Sequence, residues 1–206
     1  MDHKIIVVGI GPGTADYLLP IAKRTIDAAK ILVGSQRALQ SFANKSSLQY
    51  KITGNIDSTL NFIRLNLEKQ DIVVMVSGDP GYYSLLVALK KEFTQIEVIP
   101  GISSMQVAFA RLSLPWQNAE LISIHGREPE LERLKYQPQK VIGMLTDGKY
   151  TTAIIAKILM KNGWASESTM HICNNLSYEN EFIVNMSLEK ASNAEEFRNC
   201  IVVVTE

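Results

Sequence analysis

Three glycine-rich stretches, VGIGPG (8–13), SGDPGYYS (77–84) and VIPGISS (98–104), sit at the ends of short apolar runs, and together they carry one acidic side chain, Asp79. Glycines at such positions let a flat ligand approach the backbone closely, with Asp79, Ser103 and Ser104 as polar contributors. In an open parallel sheet, ligands bind beyond the carboxyl ends of the strands, so the three stretches are expected to converge on one crevice. A single stretch would amount to a tight strand-to-helix turn, and Asp79-Pro80-Gly81 alone to a β-turn. Their recurrence is what points to a binding site. The pattern does not fit a nicotinamide dinucleotide: Gly9 and Gly11 match G-x-G-x-x-G, but Thr14 stands where the third glycine belongs and Pro12 removes a backbone donor. The next strand-like run, ILVGS, ends without the carboxylate that would hold a ribose. No G-x-x-x-x-G-K-[ST] phosphate loop occurs.

The elements that must position these stretches alternate. KIIVVG, KILVGS, DIVVMVSG and IEVIPG read as buried strands, with helical patterns in DYLLPIAKRTIDAA, IDSTLNFIRLNLEKQ, YYSLLVALKKEF and SSMQVAFARLSL. This is the βαβ pattern of a parallel sheet covered on both faces. LPWQNAE breaks the rhythm at Pro115-Trp116, where a hinge is expected. Beyond it come LISIHGR, a polar stretch rich in Glu and Pro, KVIGMLTDG, the helical TTAIIAKILMKNG, and three strand-like runs, TMHICNN, EFIVNMS and CIVVVTE, which suggest a mixed sheet. The expectation is two α/β domains: residues 1–114, mostly parallel and bearing the glycine loops, and residues 115–206, mixed and closing a cleft.

Composition narrows the partners. With 206 residues, 46% of them hydrophobic, the chain can build a sizeable core. Lys plus Arg and Asp plus Glu both number 21, so no net field recruits nucleic acid or an anionic membrane. Cys173 and Cys200 form no C-x-x-C pair, and His3, His125 and His171 are scattered, so neither a disulfide framework nor a protein-bound metal is expected. No apolar stretch approaches the roughly 18 residues of a membrane span, and MDHK leads straight into a strand. A cytoplasmic location is expected.

The ordered set VGIGPG, SGDPGYYS, VIPGISS, ISIHGR and LTDG resembles the tetrapyrrole methylase family, whose members transfer a methyl group from S-adenosylmethionine to a corrinoid or porphyrinoid precursor. The pairing of SIHGR with LTDG, and the later NNLSYENE, most resembles the branch that methylates C5 of precorrin-7 or cobalt-precorrin-7 in cobalamin biosynthesis. The resemblance implies a donor folded into the cleft between the domains. Ser77, Gly78 and Asp79 would contact it, Tyr82 would pack beside it, Ser103 and Ser104 would add polar contacts, Pro12 would line the floor, and Leu145 and Asn175 would close over the adenosine. It also implies a homodimer. The chain ends after one methylase unit, as the free-standing C5 enzyme would, so that a separate C15-methyltransferase/decarboxylase would act next. Relatives that methylate uroporphyrinogen carry an Asp where this chain has Ser35, so no general base is carried over. Ser35 and Arg37 are candidates for substrate contact, and Arg127, His125 and Lys149, with Arg37, are candidates for gripping the acceptor's carboxylates. Other readings open at this level are methylation at another ring position, diphthine synthase, and a nucleotide-binding regulatory module without catalysis.

Overall fold

The computed structural model describes residues 3–194 and 197–206, which form two compact units meeting in sequence between Ser103 and Ser104. The first unit contains strands β1 (Ile5–Gly9), β2 (Ile31–Gly34), β3 (Leu48–Lys51), β4 (Ile72–Val76) and β5 (Ile96–Ile99), with helices α1 (Pro20–Ala28), α2 (Gln36–Phe42), α3 (Ile56–Leu67) and α4 (Leu86–Glu92). The sheet order is β3-β2-β4-β1-β5, and every pairing is parallel. Because side chains alternate across a pleated strand, the apolar runs supply two cores. Ile5, Val7, Ile31, Val33, Ile72 and Val74 meet Leu60 and Ile63 of α3 and Leu89 of α4. Val8, Leu32, Val73 and Met75 meet Ala22 and Ile26 of α1 and Ala38 of α2 on the other face. Each such aliphatic side chain, removed from water, contributes about 1.5–3 kcal/mol.

That division of helices creates the crevice. The chain leaves β1 through α1 on one face to reach β2, and leaves β4 through α4 on the opposite face to reach β5. Since β1 and β4 are neighbours, their outgoing connections diverge, which is the switch point at which open α/β sheets bind ligands.

The second unit contains α5 (Ser104–Arg111), β6 (Glu120–Ser123), α6 (Leu131–Leu134), β7 (Ile142–Leu145), α7 (Thr152–Lys161), β8 (Thr169–Asn174), β9 (Phe182–Ser187), α8 (Leu188–Asn193) and β10 (Ile201–Thr205). Its sheet runs β6-β7-β10-β8-β9, with β6 and β7 parallel and the other pairs antiparallel, the mixed sheet expected. Ile142, Met144, Ile172, Val202 and Val204 pack against Ile155 and Leu159 of α7 and Leu188 of α8. On the other face α5 lies close on β7: a Cβ added to Gly143 would stand 2.6 Å from Met105 Sδ and 2.9 Å from Phe109 Cε2. The helix that precedes Pro115 in sequence therefore packs within the second unit.

Several elements differ from their sequence patterns for local reasons. The edge strand β3, LQYK, has no buried residue and so lacks an apolar run to betray it. Helix α2 is short and α8 follows β9 directly, each announced by a serine cap: Ser35 Oγ accepts from Ala38 N, and Ser187 Oγ from Lys190 N. The pattern YYSLLVALKKEF becomes helical only from Leu86, because Tyr83 takes a left-handed backbone (φ 51°) and keeps the two tyrosines in the loop.

Candidate active site

The loops after β1 and β4 are zipped together. Ile10 N donates to Val76 O (3.0 Å), and Gly78 N donates to Gly11 O (2.8 Å). The loop after β5 closes on both: a Cβ on Gly101 would stand 2.2 Å from the Gly78 oxygen and 2.8 Å from Gly9 Cα, and one on Gly9 only 2.6 Å from Gly101 N. The glycines expected to admit a ligand thus first admit one another, so Gly78 contributes shape through a backbone whose N–H is already bonded.

Asp79 is the staple of this assembly. Its Oδ1 accepts from Gly81 N (2.7 Å) and its Oδ2 from Gly101 N (2.9 Å), which ties the loop after β4 to the loop after β5. Tyr82 N donates to the Asp79 carbonyl (3.1 Å), so the expected Asp-Pro-Gly turn is present and carries this second task. Tyr82, half-buried, meets Tyr83 edge-on with ring centroids 4.9 Å apart. Ser103 is buried and its Cα lies 3.4 Å from where a Gly78 Cβ would be. Ser104 opens α5, and half-buried Pro12 lies in the loop after β1.

A donor-side and a substrate-side candidate meet at the ends of the neighbouring strands β2 and β4, where Arg37 Nη2 donates to Ser77 Oγ (3.3 Å). Ser35, beside them, is the cap of α2.

In the second unit, ISIHGR turns sharply after β6: Gly126 has φ 66°, the left-handed conformation favoured at the third position of a type II turn. Asp147, in LTDG after β7, plays the part that Asp79 plays in the first unit. Its Oδ2 accepts from Gly126 N (2.7 Å) and its Oδ1 from Lys149 N (2.8 Å) and Tyr150 N (3.0 Å). Those backbone bonds, that of Gly126 foremost, hold its carboxyl below the ordinary aspartate range. Sequence reasoning quoted LTDG but did not single out Asp147; the signal available was an Asp followed by Gly at a strand end, the composition of an Asx turn.

His125 is exposed and its Nδ1 lies 3.2 Å from the Thr146 carbonyl oxygen. A carbonyl can only accept, so Nδ1 donates in this contact. Arg127 is exposed in the same turn. Lys149 Nζ is paired with Glu128 Oε1, and the Tyr150 hydroxyl donates to Glu128 Oε2. Hydrogen bonding to Glu128 raises the Lys149 pKa, and that from Lys149 lowers the Glu128 pKa.

Leu145 ends β7 in register with Ser123 and Ile201. Asn175 is exposed just after β8 with φ 46°, and its carbonyl accepts from Tyr178 N (3.0 Å). This loop is anchored by Glu181, which accepts from Ser177 N (2.7 Å) and from Arg111 Nε (2.5 Å). Cys173 and Cys200 are buried free thiols, and burial pushes the Cys173 pKa up to about 12, so neither is a nucleophile at neutral pH.

Five buried side-chain atoms among the described residues lack a hydrogen-bond partner: Thr14 Oγ1 after β1, Thr59 Oγ1 in α3, Ser168 Oγ before β8, Asn174 Nδ2 at the end of β8 and Ser177 Oγ in the loop that follows. No group of three or more His, Cys, Asp or Glu side chains suited to a metal ion occurs among the described residues.

Two α/β units, the first with glycine loops converging at a sheet switch point, are the frame of a ligand-binding α/β protein, and residues 4–192 match the model of the tetrapyrrole (corrin/porphyrin) methylases; the chain belongs to that family. It is 34% identical over 201 residues to a Methanocaldococcus jannaschii protein named "Probable cobalt-precorrin-7 C(5)-methyltransferase", covering 93% of this chain and 92% of that protein. It is 32% identical over 204 residues to the cobalt-precorrin-7 C(5)-methyltransferase of Salmonella typhimurium, covering 98% and 99%. Among solved structures it resembles a uroporphyrin-III C-methyl transferase from Thermus thermophilus complexed with S-adenosylhomocysteine, with TM-score 0.78 and 21% identity over 98% of this chain and 92% of that one.

Proposed function

We infer that this chain is an S-adenosylmethionine-dependent methyltransferase that methylates C5 of precorrin-7, or its cobalt form, in cobalamin biosynthesis. The observation that carries this reading is the likeness, over nearly the whole of both chains, to two relatives named for that reaction. The competing regulatory reading has no comparable support.

S-adenosylmethionine supplies an electrophilic methyl group, and the corrinoid supplies a nucleophilic ring carbon. The protein's work is then chiefly alignment, which can remove several kcal/mol from a barrier. The Asp79 and Asp147 staples fix loop shapes in advance of binding. Ser77, Gly78, Asp79, Tyr82, Ser103, Ser104 and Pro12 would hold the donor, with Leu145 and Asn175 contributed by the second unit. Asp79 would act first through the loops it ties, while its remaining lone pairs could accept from the donor's ammonium. Arg37, bonded to Ser77, would sit where donor and acceptor meet, and Arg127 and His125 would meet peripheral carboxylates. Lys149 would have to exchange Glu128 for the acceptor to do the same.

This reading includes a homodimer in the cytoplasm, no protein-bound metal, and a separate C15-methyltransferase/decarboxylase consuming the product. Among the described residues no helix is long and apolar enough to cross a membrane. The test is incubation with methyl-labelled donor and purified precorrin-7 or cobalt-precorrin-7, with label located by carbon NMR. Label at C5 with either form is expected. Label at another ring carbon, or none with either form, would overturn the assignment.

A further inference from the structure

A cavity of about 560 Å³ opens at the opposite end of the first sheet from the glycine loops. Its residues come from starts rather than ends of strands: His3 and Ile6 at β1, Gln70, Asp71 and Val73 at β4, and Lys30 just ahead of β2, with Arg24, Thr25, Ala28 and Ala29 from α1 and its end. Nothing in the methyl-transfer reading uses it. Its volume lies in the range of small-molecule sites, roughly 300–1,000 Å³.

The lining is divided by chemistry. Ile6, Val73, Ala28 and Ala29 form an apolar floor. Arg24, Lys30 and His3 bring basic groups, against one carboxylate, Asp71. That carboxylate is already engaged, since Oδ1 accepts from Lys4 N (2.9 Å) and lies 3.5 Å from His3 Nδ1. Arg24 and Lys30 are exposed, and among the described residues their side chains have no hydrogen-bond or ion-pair partner. Elsewhere on α1 the structure does pair a cation, with Lys23 Nζ 2.7 Å from Asp27 Oδ2, so the unpaired state of its neighbour Arg24 is a local feature.

We propose that this cavity binds a small organic anion, a phosphate monoester or carboxylate on a compact apolar body, with Arg24 and Lys30 holding the anionic group and Ile6, Val73, Ala28 and Ala29 holding the apolar part. A guanidinium and an ammonium over an apolar floor match such a molecule better than a bare inorganic ion, which gains nothing from the floor, or a neutral one, which gains nothing from the cations. The site lies at the opposite end of the sheet from the glycine loops, so its occupant is distinct from the molecules bound there.

The test is titration of the full chain with phenyl phosphate, inorganic phosphate and benzyl alcohol, followed by amide chemical shifts and calorimetry. Saturable shifts confined to residues 24–30 and 70–73 are expected with phenyl phosphate, with weaker binding of inorganic phosphate and none of benzyl alcohol. R24Q/K30Q, which alters two exposed side chains, should lose phenyl phosphate by at least about tenfold while melting like the parent. Shifts confined to the glycine loops, unchanged affinity in R24Q/K30Q, or no saturable shift at millimolar probe would each overturn the proposal. These outcomes are independent of whether the corrinoid is methylated.

Discussion

Replacing Asp79 by Ala separates two roles the side chain could have. The carboxylate ties the exposed Gly81 N and the buried Gly101 N. Water can take over at Gly81, so most of the cost falls at Gly101, where a buried donor is left without its partner; that costs about 1–3 kcal/mol. For a chain of this size each kcal/mol lowers the melting temperature by roughly 2–4 °C, so a fall of a few degrees is expected. The freed loop after β5 must be ordered again when donor product binds, and a comparable penalty there weakens S-adenosylhomocysteine by roughly tenfold. Asp79→Asn, which keeps one accepting oxygen, should fall between. Differential scanning calorimetry and isothermal titration on the same preparations read both quantities. A staple predicts that the two losses travel together. Lost affinity at unchanged melting temperature would show that Asp79 touches the donor directly, and no change in either would refute the loop argument altogether.

Other expectations follow from single contacts. Gly101→Ala should not give a stable native fold, because its Cβ would stand 2.2 Å from a backbone oxygen that cannot swing away; normal expression and melting would contradict this packing. Asp147 is held below its usual pKa by backbone donors, so its contribution to stability is present above the unfolded-state aspartate value and is lost as pH falls through the lower folded value. Asp147→Asn should therefore be less stable than the parent at neutral pH, with the gap closing in acid, and urea titrations across pH that show a constant gap would count against the staple. Arg127→Ala should reduce kcat/KM for the corrinoid by roughly ten- to a hundredfold with donor affinity intact, Arg127→Lys recovering part; turnover equal to the parent in both would make Arg127 a surface charge. Light scattering at micromolar concentration should give a dimer mass, and a monomer mass would refute that assembly.

The layout of the first sheet was legible because burial on both faces leaves a chemical trace: β1 and β4 are continuous apolar runs, and such strands belong to parallel sheets covered by helices. β3 left no such trace. It sits at the edge with Leu48 52% exposed, and what stabilises it is pairing with β2, an interaction between backbones that side-chain patterning does not encode. Tyr82-Tyr83-Ser84 misled in the opposite direction, since the residues continue a helical pattern. The turn at Asp79 and the left-handed backbone of Tyr83 delay the helix to Leu86, in a loop that Asp79 also ties to Gly101.

The site shows the same boundary between what patterns carry and what only contact reveals. Convergence of the glycine loops followed from strand adjacency, but their purpose did not. Gly9, Gly78 and Gly101 are small because three backbones cross within van der Waals distance, a fact with no local signature. Asp79 and Asp147 reach the same solution in the two units: an acidic residue at the end of a parallel strand accepts N–H groups from a second loop, and a following glycine gives the backbone room to turn. In the first unit the staple stands out in the sequence as a lone charge among glycine loops; in the second it lies beside the more conspicuous Lys149. Yet the charge of Lys149 is already met, by Glu128. A carboxylate that organises two loops and a lysine satisfied by its neighbour look alike as letters, and they part only when the partners are in place.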